Sequence, residues 1–513
     1  MQRVVVVVSF LLLLISSCQQ PENESTPPNI VLFFVDDMGW QDTSVPFWNQ
    51  LTNFNKTYKT PNMERLAKKA VKFTNAYATP VCSPTRVSLL TGMNAARHRV
   101  TNWTLKPDQK QPMELDHPIL EFPDWNYNGI GLDSLTPHAT YAKPFPQLLK
   151  DNGYYTLHAG KAHFGAIGYP SSNPLNLGFQ INIAGHAAGA PGSYLGQDHF
   201  GNGKPGREVW AVPGLEKYHG QEIFLTEALT QEVVQALDTP VQNKQPFFLY
   251  FALYGIHTPL MPNNRFIAPY REKGMEEPEA RYASMIESMD EALGNVMNSL
   301  EDNQLEDDTI ILFMSDNGGL SASARGGEKH THNLPLKSGK GSIYEGGIRV
   351  PMMAYWPGKS EAASVNSTPL IIEDFFPSIL EMAQIEYTEI PQKVDGRSFV
   401  PLLKGSTNDK VKPLFWHYPN NWGSEGPGIG SFSAVRQGEW KLIYFHANQT
   451  LELYNLEKDL GENHNLFESN SELAAQLAET LTQHLISVQA QMPIVKTTKQ
   501  IVPWPNAIFK RTK

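Results

Sequence analysis

The sequence predicts an α/β protein in which a large, mostly parallel β-sheet is sandwiched by helices, with a smaller C-terminal α+β subdomain. Short apolar runs alternate with helical patterns along most of the chain, which is typical of parallel strands joined by crossover helices. The 513 residues, of which 41% are hydrophobic, suffice for one large core and a smaller one. Near residue 410 the pattern changes to short strands that suit an antiparallel sheet.

Four apolar runs predict strands of the large sheet. The first, third and fourth are almost continuously apolar, as expected for central strands covered on both faces. A helix is predicted at 61–71, where Pro61 suits the first turn. A second helix at 280–300 has one apolar face, and a third at 371–385 is expected to carry Asp374 at the surface. The four strands are expected at residues 30–35, 154–158, 247–253 and 309–314.

The domain organisation follows from these patterns. After a polar stretch at 406–410, short strands are expected at 414–417, 433–436 and 440–445, and an amphipathic helix at 471–490. We therefore expect four successive segments along the chain. They are a signal peptide at 1–17, a tether at 18–28, a large domain at 29–410 and a C-terminal subdomain at 411–513.

The first 18 residues indicate export. Arg3 precedes a run at 4–15 that is apolar except for Ser9. Such a run spans about 18 Å as a helix, too short for a bilayer core of about 30 Å, so a signal peptide is favoured over a membrane-spanning helix. The run ends in Ile-Ser-Ser-Cys18, which resembles the cleavage box of bacterial lipoproteins. That resemblance implies a lipidated Cys18 and an anchor in the cell envelope, on the periplasmic or cell-surface side of the outer membrane. An ordinary signal peptide with an incidental cysteine is the alternative.

Composition narrows the functional classes. The chain has only two cysteines, Cys18 and Cys82, which excludes a disulfide scaffold and a cysteine-bound zinc site. Its 42 Lys and Arg residues against 52 Asp and Glu residues give a formal net charge of −10. This balance argues against a nucleic-acid partner, which requires a basic face. The net charge does not exclude an anionic small substrate, because a few cationic side chains suffice to make a single pocket positive.

Polar side chains follow each predicted strand of the large sheet. Ligand sites form outside the carboxyl ends of parallel strands, so we expect these side chains to meet at one edge. Asp36 and Asp37 follow the first strand, and Asp316 and Asn317 follow the fourth. These four residues offer only oxygen ligands, which hard cations such as Ca²⁺ or Mg²⁺ prefer. The other two strands bring Lys161, His163 and His257 to the same edge.

Cys82 lies in the most specific motif, Pro-Val-Cys82-Ser-Pro84-Thr-Arg86. Pro84 suits the first turn of a helix, which places Cys82 near a helix N-terminus that favours negative charge. An unmodified thiolate nucleophile is one interpretation of this position. It would need a histidine as its base, and His163 or His257 could serve.

The cysteine motif, extended through Leu-Leu-Thr-Gly92, closely resembles that of the type I sulfatases in the alkaline-phosphatase-like superfamily. Further motifs match in order, so that the resemblance covers the chain from about residue 29 to residue 466. Two departures are Ala162, where the family often has Trp, and a long insertion at 40–58, and both are expected at the substrate rim. The matching segments are Asp36-Asp37-Met38-Gly39, Gly160-Lys161-Ala162-His163, His257-Thr258-Pro259, Ser315-Asp316-Asn317-Gly318, Lys340-Gly341 and 345–351.

The resemblance implies a sulfuric ester hydrolase in which Cys82 is oxidised to formylglycine. The hydrated aldehyde would attack sulfur, and its second hydroxyl would allow the aldehyde to re-form as sulfate leaves. The implied cation is Ca²⁺ rather than Mg²⁺, and its implied ligands are Asp36, Asp37, Asp316, Asn317 and residue 82. The other implied roles are Arg86 in holding the nucleophile, Lys161 and Lys340 in neutralising sulfate, His257 with Lys340 in protonating the leaving oxygen, and His163 in deprotonating the diol.

The expected substrate is a sulfated carbohydrate, with an algal polymer such as ulvan or carrageenan favoured over a glycosaminoglycan. The expected partner for Cys82 is a formylglycine-generating or anaerobic sulfatase-maturating enzyme. Three alternatives stay open: a formylglycine-dependent phosphodiesterase or phosphonate ester hydrolase, a non-catalytic glycan-binding surface lipoprotein, and a thiol hydrolase. Three further histidines are candidates for lining the substrate site, namely His330, His332 and His417.

Overall fold

The computed structural model describes residues 27–115, 117–406 and 412–510. Its largest sheet has nine strands and is accompanied by smaller sheets, which confirms the predicted α/β fold. The predicted signal peptide, Cys18, most of the tether and the predicted boundary at 410 lie outside the described residues. Within them, no helix combines the length and the apolar character that crossing a membrane requires.

The large sheet is mostly parallel. Among the described strands of this sheet, only the two pairs made by Arg349–Tyr355 are antiparallel, and the short strand Leu370–Ile371 pairs in parallel with Val71–Tyr77 off the main path. In spatial order the other strands are Val365–Asn366, Val71–Tyr77, Arg349–Tyr355, Thr309–Ser315, Asn29–Val35, Phe247–Ala252, Tyr155–Gly160 and Ile181–Ile183.

The central strand Asn29–Val35 explains why its apolar run is continuous. Side chains alternate between the two faces of a strand, so that Ile30 and Leu32 enter one core while Val31 and Phe33 enter the other. Helices cover both faces, as predicted. Those on the first face are Cys82–Thr91, Phe145–Asp151 and Phe375–Met382, and those on the second are Pro61–Ala67, Leu225–Gln242 and Glu277–Asp302.

Shorter elements connect these layers. The remaining short α-helices are Asn53–Thr57, Ala95–His98, Pro112–Leu115, Ala268–Glu272, Glu345–Ile348 and Val400–Leu403. The 3₁₀ segments are Pro170–Ser172, Pro174–Leu177, Gly196–Gly201, Glu208–Trp210, Glu216–Tyr218, Ile372–Asp374, Glu468–Asn470 and Pro505–Lys510. Two small sheets consist of Leu120–Glu121 with Ile494–Val495 and Gln500–Ile501, and of Gly129–Gly131 with Ala139–Tyr141.

The C-terminal region forms a four-stranded antiparallel sheet with a helix, Ser471–Ser487, packed on it. Three of its strands were predicted, and the fourth, Thr450–Asn455, was not. The sheet lies against the large one, since the indole of Trp416 donates a hydrogen bond to the carbonyl of Ala78 at 2.9 Å. In order, its strands are Leu414–Tyr418, Phe432–Gln437, Trp440–Phe445 and Thr450–Asn455.

The helix predicted at 61–71 ends earlier, at Ala67. The strand Val71–Tyr77 follows after a three-residue turn, and its start alternates between buried and half-buried residues. This period of two belongs to a strand with one covered face. The helical prediction ran four residues too far because it did not weigh this change of period.

The prediction for Asp374 was wrong. The helix expected at 371–385 is shorter, Phe375–Met382, and a 3₁₀ turn precedes it. Asp374 is buried there, where its carboxylate accepts hydrogen bonds from the backbone N–H groups of Ile371 at 2.9 Å and Arg397 at 2.7 Å. A buried carboxylate is retained because it satisfies backbone donors that would otherwise lack partners.

Candidate active site

Two adjacent parallel strands bring the predicted metal ligands together. Asn29–Val35 and Thr309–Ser315 run side by side, with Val35 paired to Ser315, so both strands end at the same edge of the sheet. Asp36 and Asp37 leave one strand there, and Asp316 and Asn317 leave the other. All four side chains are fully buried, and the amide of Asn317 donates to Oδ1 of Asp37 at 2.7 Å.

Cys82 completes this cluster. It is the first residue of the helix Cys82–Thr91, as Pro84 predicted, and its Sγ lies 3.7 Å from Oδ1 of Asp36. One ligand atom each from Asp36, Asp37, Cys82 and Asp316 lies within 4.8 Å of the others. The structure therefore brings these side chains together at one edge of the large sheet, as expected.

Each carboxylate of the cluster has its own cationic partner. The Lys161 ammonium contacts Asp36 at 2.5 Å, and the Lys340 ammonium contacts Asp37 at 2.7 Å. The remaining carboxylate, Asp316, accepts hydrogen bonds from Nε and Nη2 of Arg86 at 3.1 and 2.8 Å. Such charge-assisted bonds between buried groups fix the cluster's geometry.

The cluster fits a divalent cation. Oδ2 of Asp37 and Oδ1 of Asn317 are buried and have no hydrogen-bond partner among the described residues. Leaving a buried acceptor unsatisfied is costly, and both atoms belong to the group that shares this edge. Carboxylate and amide oxygens suit a hard cation such as Ca²⁺ or Mg²⁺.

The pKa values of the two neighbouring carboxyl groups, Asp36 and Asp37, shift in opposite directions. Burial raises the pKa of Asp36 well above its usual range, and the charge of Asp316 adds to this effect. Burial also acts to raise the pKa of Asp37, but the ammonium of Lys340 and the nearby His257 outweigh it, so that this pKa is lowered. Burial raises the pKa of the Cys82 thiol to about 12. Metal binding at such a site is coupled to proton release.

Two histidines stand beside the cluster in defined tautomers. Nδ1 of His257 lies 2.8 Å from the carbonyl oxygen of Thr258, so Nδ1 carries the proton, and Nε2 lies 3.7 Å from Oδ2 of Asp37. Nε2 of His163 donates to the carbonyl of Thr104 at 2.8 Å. Its Nδ1 has no partner among the described residues. Burial lowers the pKa of His257 to about 3 and that of His163 well below its usual value, which leaves a free lone pair on each ring.

A cavity of about 330 Å³ opens above these groups. Cys82, His163, His257 and Lys340 line it, whereas Lys161 is fully buried behind Asp36. Three half-buried tryptophans from separate segments of the chain also line it, and the sequence did not single them out. They are Trp103, Trp210 and Trp422.

Two protein-family models match this chain and together cover the large sheet and the C-terminal region. A family model described as "Sulfatase" matches residues 28–385, and one described as "N-sulphoglucosamine sulphohydrolase, C-terminal" matches residues 338–491. The chain belongs to the sulfatase family. This sulfatase is therefore a sulfuric ester hydrolase of a family that is formylglycine-dependent and metal-binding, and its motif cysteine, Cys82, lies against the carboxylate cluster.

Curated relatives agree with this assignment. This sulfatase is 29% identical to a sulfatase of Formosa agariphila, over 93% of this chain and 92% of the relative. It is 30% identical to the N-acetylgalactosamine-6-sulfatase of Mus musculus, over 77% of this chain and 69% of the relative.

Solved structures show the same architecture. The crystal structure of Ps i-CgsB, solved alone and in complex with k-i-k-neocarrahexaose, matches with a TM-score of 0.71 and 26% identity. The match covers 95% of this chain and 97% of that one. The agreement therefore includes the C-terminal region as well as the large sheet.

Several expected rim residues lie elsewhere in this sulfatase. Ala162, the insertion at 40–58, His330 and His332 are not among the described residues that line the cavity. His417 is buried in the C-terminal sheet, where its ring nitrogens contact the hydroxyl of Ser433 at 2.8 Å and the carbonyl of Gln491 at 2.9 Å. The expectation of a rim position was wrong for Ala162 and His417, which are buried, and it is not confirmed for the insertion, His330 and His332.

Proposed function

We propose that this sulfatase removes sulfate from a carbohydrate, with oligosaccharides of an algal polymer such as carrageenan or ulvan favoured over a glycosaminoglycan. The observation that carries the proposal is a single cavity that joins the Cys82–carboxylate cluster to three tryptophan side chains. Aromatic rings with a few convergent polar groups are typical of sites for small ligands. Similarity to Ps i-CgsB, solved with k-i-k-neocarrahexaose, supports the algal class.

The residues at the cluster suit the family's cofactors. We propose that Cys82 is converted to formylglycine by a maturation enzyme and that Asp36, Asp37, Asp316 and Asn317 hold Ca²⁺ beside it. Together these groups supply an activated oxygen nucleophile and neutralise charge on the sulfate ester. The all-oxygen ligand set and the two unpartnered oxygens at this edge support the cation.

Three basic residues position the sulfate and its surroundings. Arg86 is fully buried, and its bonds to Asp316 and to the carbonyl of Lys161 at 2.9 Å hold both segments in place. The ammonium groups of Lys161 and Lys340 neutralise the carboxylates in this structure. With a cation held by the carboxylates, the two ammonium groups would be available to sulfate oxygens, where charge develops in the transition state; Lys340 already lines the cavity, whereas Lys161 would reach it from behind Asp36.

The two histidines stand at the positions proposed for the two proton transfers. The lone pair on Nδ1 of His163 has no partner among the residues described, so His163 is proposed as the base that removes a proton from the hydrated formylglycine. His257 lines the cavity beside Lys340, and the pair is proposed as the acid for the leaving oxygen, with the proton supplied by the Lys340 ammonium because Nε2 of the neutral His257 carries a lone pair. A general acid or base must lie within hydrogen-bond reach of its proton, which both positions allow.

The decisive experiment compares substrates with enzyme produced alongside a maturation enzyme. We expect turnover of an aryl sulfate to exceed that of the matching aryl phosphate, and release of sulfate from carrageenan or ulvan oligosaccharides to exceed that from chondroitin sulfate. A clear preference for phosphate would replace the proposal with a phosphodiesterase or phosphonate ester hydrolase. Glycan binding without turnover of any sulfate would favour a non-catalytic binding protein.

The chemical state of residue 82 is tested separately. We expect the peptide containing residue 82 to have the mass of formylglycine, and Cys82→Ala to abolish turnover while leaving the fold intact. Active enzyme with an unmodified thiol, inhibited by alkylation, would instead indicate a thiol hydrolase.

We also propose that the chain is exported and anchored in the cell envelope through Cys18. The apolar run at 4–15 and the Ile-Ser-Ser-Cys18 ending support this. Incorporation of labelled palmitate by the wild-type chain in cells, and its loss in Cys18→Ser, is the expected result. Soluble periplasmic protein without label would indicate an ordinary signal peptide.

A further inference from the structure

A second groove lies apart from the active-site cavity. It has a volume of about 1010 Å³, and among the described residues the two sites share no lining residue. Its walls include the insertion at 40–58, the strands Val71–Tyr77 and Val365–Asn366 near one edge of the large sheet, and the C-terminal turn at 437–440. The insertion that the sequence placed at the substrate rim thus contributes to this groove.

Aromatic side chains line the groove from two different segments. Trp48 of the insertion and Trp440 of the C-terminal sheet are both half-buried, so each presents part of its ring. Beneath them, Trp40 and Phe47 are buried and support the wall. Exposed ring faces of this kind provide apolar contact at low entropic cost, which suits the flat faces of sugar rings.

Two guanidinium groups are held rigidly in the same groove. Arg349 lies 4.3 Å above the ring of Trp40, and its Nε donates to the carbonyl of Thr74 at 2.8 Å. Nε of Arg436 donates to the carbonyl of Gly438 at 3.0 Å. Pre-organised guanidinium groups bind oxyanions well because little freedom remains to be lost. Both residues keep some exposure, 7% and 5%.

The charges of the groove match a sulfated sugar. Lys72 adds a third cation to the two arginines, of which Arg349 is paired with the buried Glu345 at 3.4 Å, and Glu439 and Glu457 are the two carboxylates of its lining. Sulfate groups are complementary to the cations, while the carboxylates can accept hydrogen bonds from sugar hydroxyls. A polyanion that lacks hydroxyl groups would be repelled by the two carboxylates and could not donate hydrogen bonds to them.

The geometry points to a second, non-catalytic site that binds a sulfated oligosaccharide segment of the polymer. This inference rests on the proposed carbohydrate substrate. The groove holds one part of a long chain while the active-site cavity acts on another. Occupation of both sites raises the effective concentration of polymer at the enzyme without changing the reaction of a short substrate.

The test uses full-length, matured enzyme and affinity electrophoresis in gels that contain carrageenan, ulvan or their chemically desulfated forms. The double variant Trp48→Ala/Trp440→Ala is compared with Tyr141→Ala, a control at a tyrosine that is 46% exposed and lines neither site. We expect about two- to tenfold weaker retention for each lost ring in the sulfated gels. Rates on an aryl sulfate should stay at the wild-type level.

Further variants keep the test decisive. Trp440→Phe retains an aromatic face and should restore most of the retention, and Lys72→Gln, on a half-buried side chain, should weaken retention in sulfated gels only. Wild-type retention of both the double variant and Lys72→Gln would overturn the inference, as would equal retention in desulfated gels. If the enzyme desulfates no carbohydrate but the variants still lose retention, the proposed function fails while this binding site stands.

Discussion

The hydroxyl of Tyr282 lies 3.1 Å from the backbone carbonyl oxygen of Asp37 and 2.7 Å from Oδ2 of Asp42. Asp37 adopts a left-handed backbone conformation with φ of 61°, which is uncommon for a residue other than glycine. Asp42 in turn accepts a hydrogen bond from the N–H of Gly39 at 2.9 Å. Tyr282, on the helix Glu277–Asp302, therefore braces the turn that carries two proposed metal ligands.

We predict that Tyr282→Phe lowers the free energy of unfolding by about 1–3 kcal/mol, because the buried carboxylate of Asp42 loses one of its donors. It should also weaken cation binding, since the Asp36–Asp37 turn loses a brace. Urea denaturation and calorimetric titration with Ca²⁺ measure the two effects. The control is Tyr169→Phe, which removes a surface hydrogen bond to Asp108 and should change neither quantity appreciably. Equal effects of the two variants would contradict the bracing role.

The second prediction concerns Gly341, which follows Lys340. Gly341 has a φ of +86°, and a Cβ atom there would meet the ring of Trp422 at 2.1 Å. We predict that Gly341→Ala lowers kcat/KM at least about tenfold, because either Trp422 or the backbone beside Lys340 must shift, and small misplacements at an active site are costly. Steady-state kinetics on an aryl sulfate and on an oligosaccharide measure the effect.

Gly274 provides the matched control for this prediction. It also has a positive φ, +75°, but a Cβ atom there meets nothing within 4 Å. Gly274→Ala should therefore lower the free energy of unfolding by about 1–3 kcal/mol through backbone strain alone. Its kcat/KM should stay at the wild-type value. A similar loss of activity in both variants would show that backbone strain, and not the contact with Trp422, is responsible.

The parts of the site that follow strands could be predicted from the sequence. The run at 30–35 is continuous because both faces of that strand are buried, and parallel pairing with Thr309–Ser315 then brings Asp36 and Asp316 to one edge. This inference needs only the pattern of apolar residues and the general position of ligands in parallel sheets.

The parts that depend on loops could not be predicted in this way. Trp103, Trp210 and Trp422 are far apart in sequence, and no periodicity relates them. The insertion at 40–58 follows directly after two proposed metal ligands, yet Trp48 lines a different groove together with Trp440. Sequence proximity is therefore a poor guide to loop position, because tertiary contacts with distant segments decide it.

The third prediction concerns the cation. We expect Ca²⁺ to raise the melting temperature of chelator-treated enzyme more than Mg²⁺ does, because a ligand that binds the folded state stabilises it, by about 2.7 kcal/mol at a hundredfold excess over Kd. Asp37→Asn should abolish most of this shift, since it removes a charged, proposed ligand of the buried cluster. Asp133→Asn, at an exposed aspartate, is the control. An unchanged Ca²⁺ response in Asp37→Asn would remove Asp37 from the ligand set.

The fourth prediction concerns Glu373, a buried residue between the large sheet and the C-terminal region. Burial raises the pKa of Glu373 to about 7, opposed by the charge of Lys412 and assisted by that of Asp374. Its Oε1 accepts a hydrogen bond from Asn94 at 3.0 Å. The folded state therefore holds the proton of Glu373 more tightly than the unfolded chain, whose glutamates titrate near 4.3.

It follows that the contribution of Glu373 to stability is greatest below about pH 4 and falls as the pH rises to about 7. Replacing it by glutamine removes this titration, so the stability difference between Glu373→Gln and wild type should change by about 3–4 kcal/mol across that range, in favour of the variant at higher pH. Urea denaturation at a series of pH values measures it, with the exposed Glu389→Gln as control. A pH-independent difference would mean that Glu373 is ionised in the folded protein, and that Lys412 and Asn94 outweigh its burial.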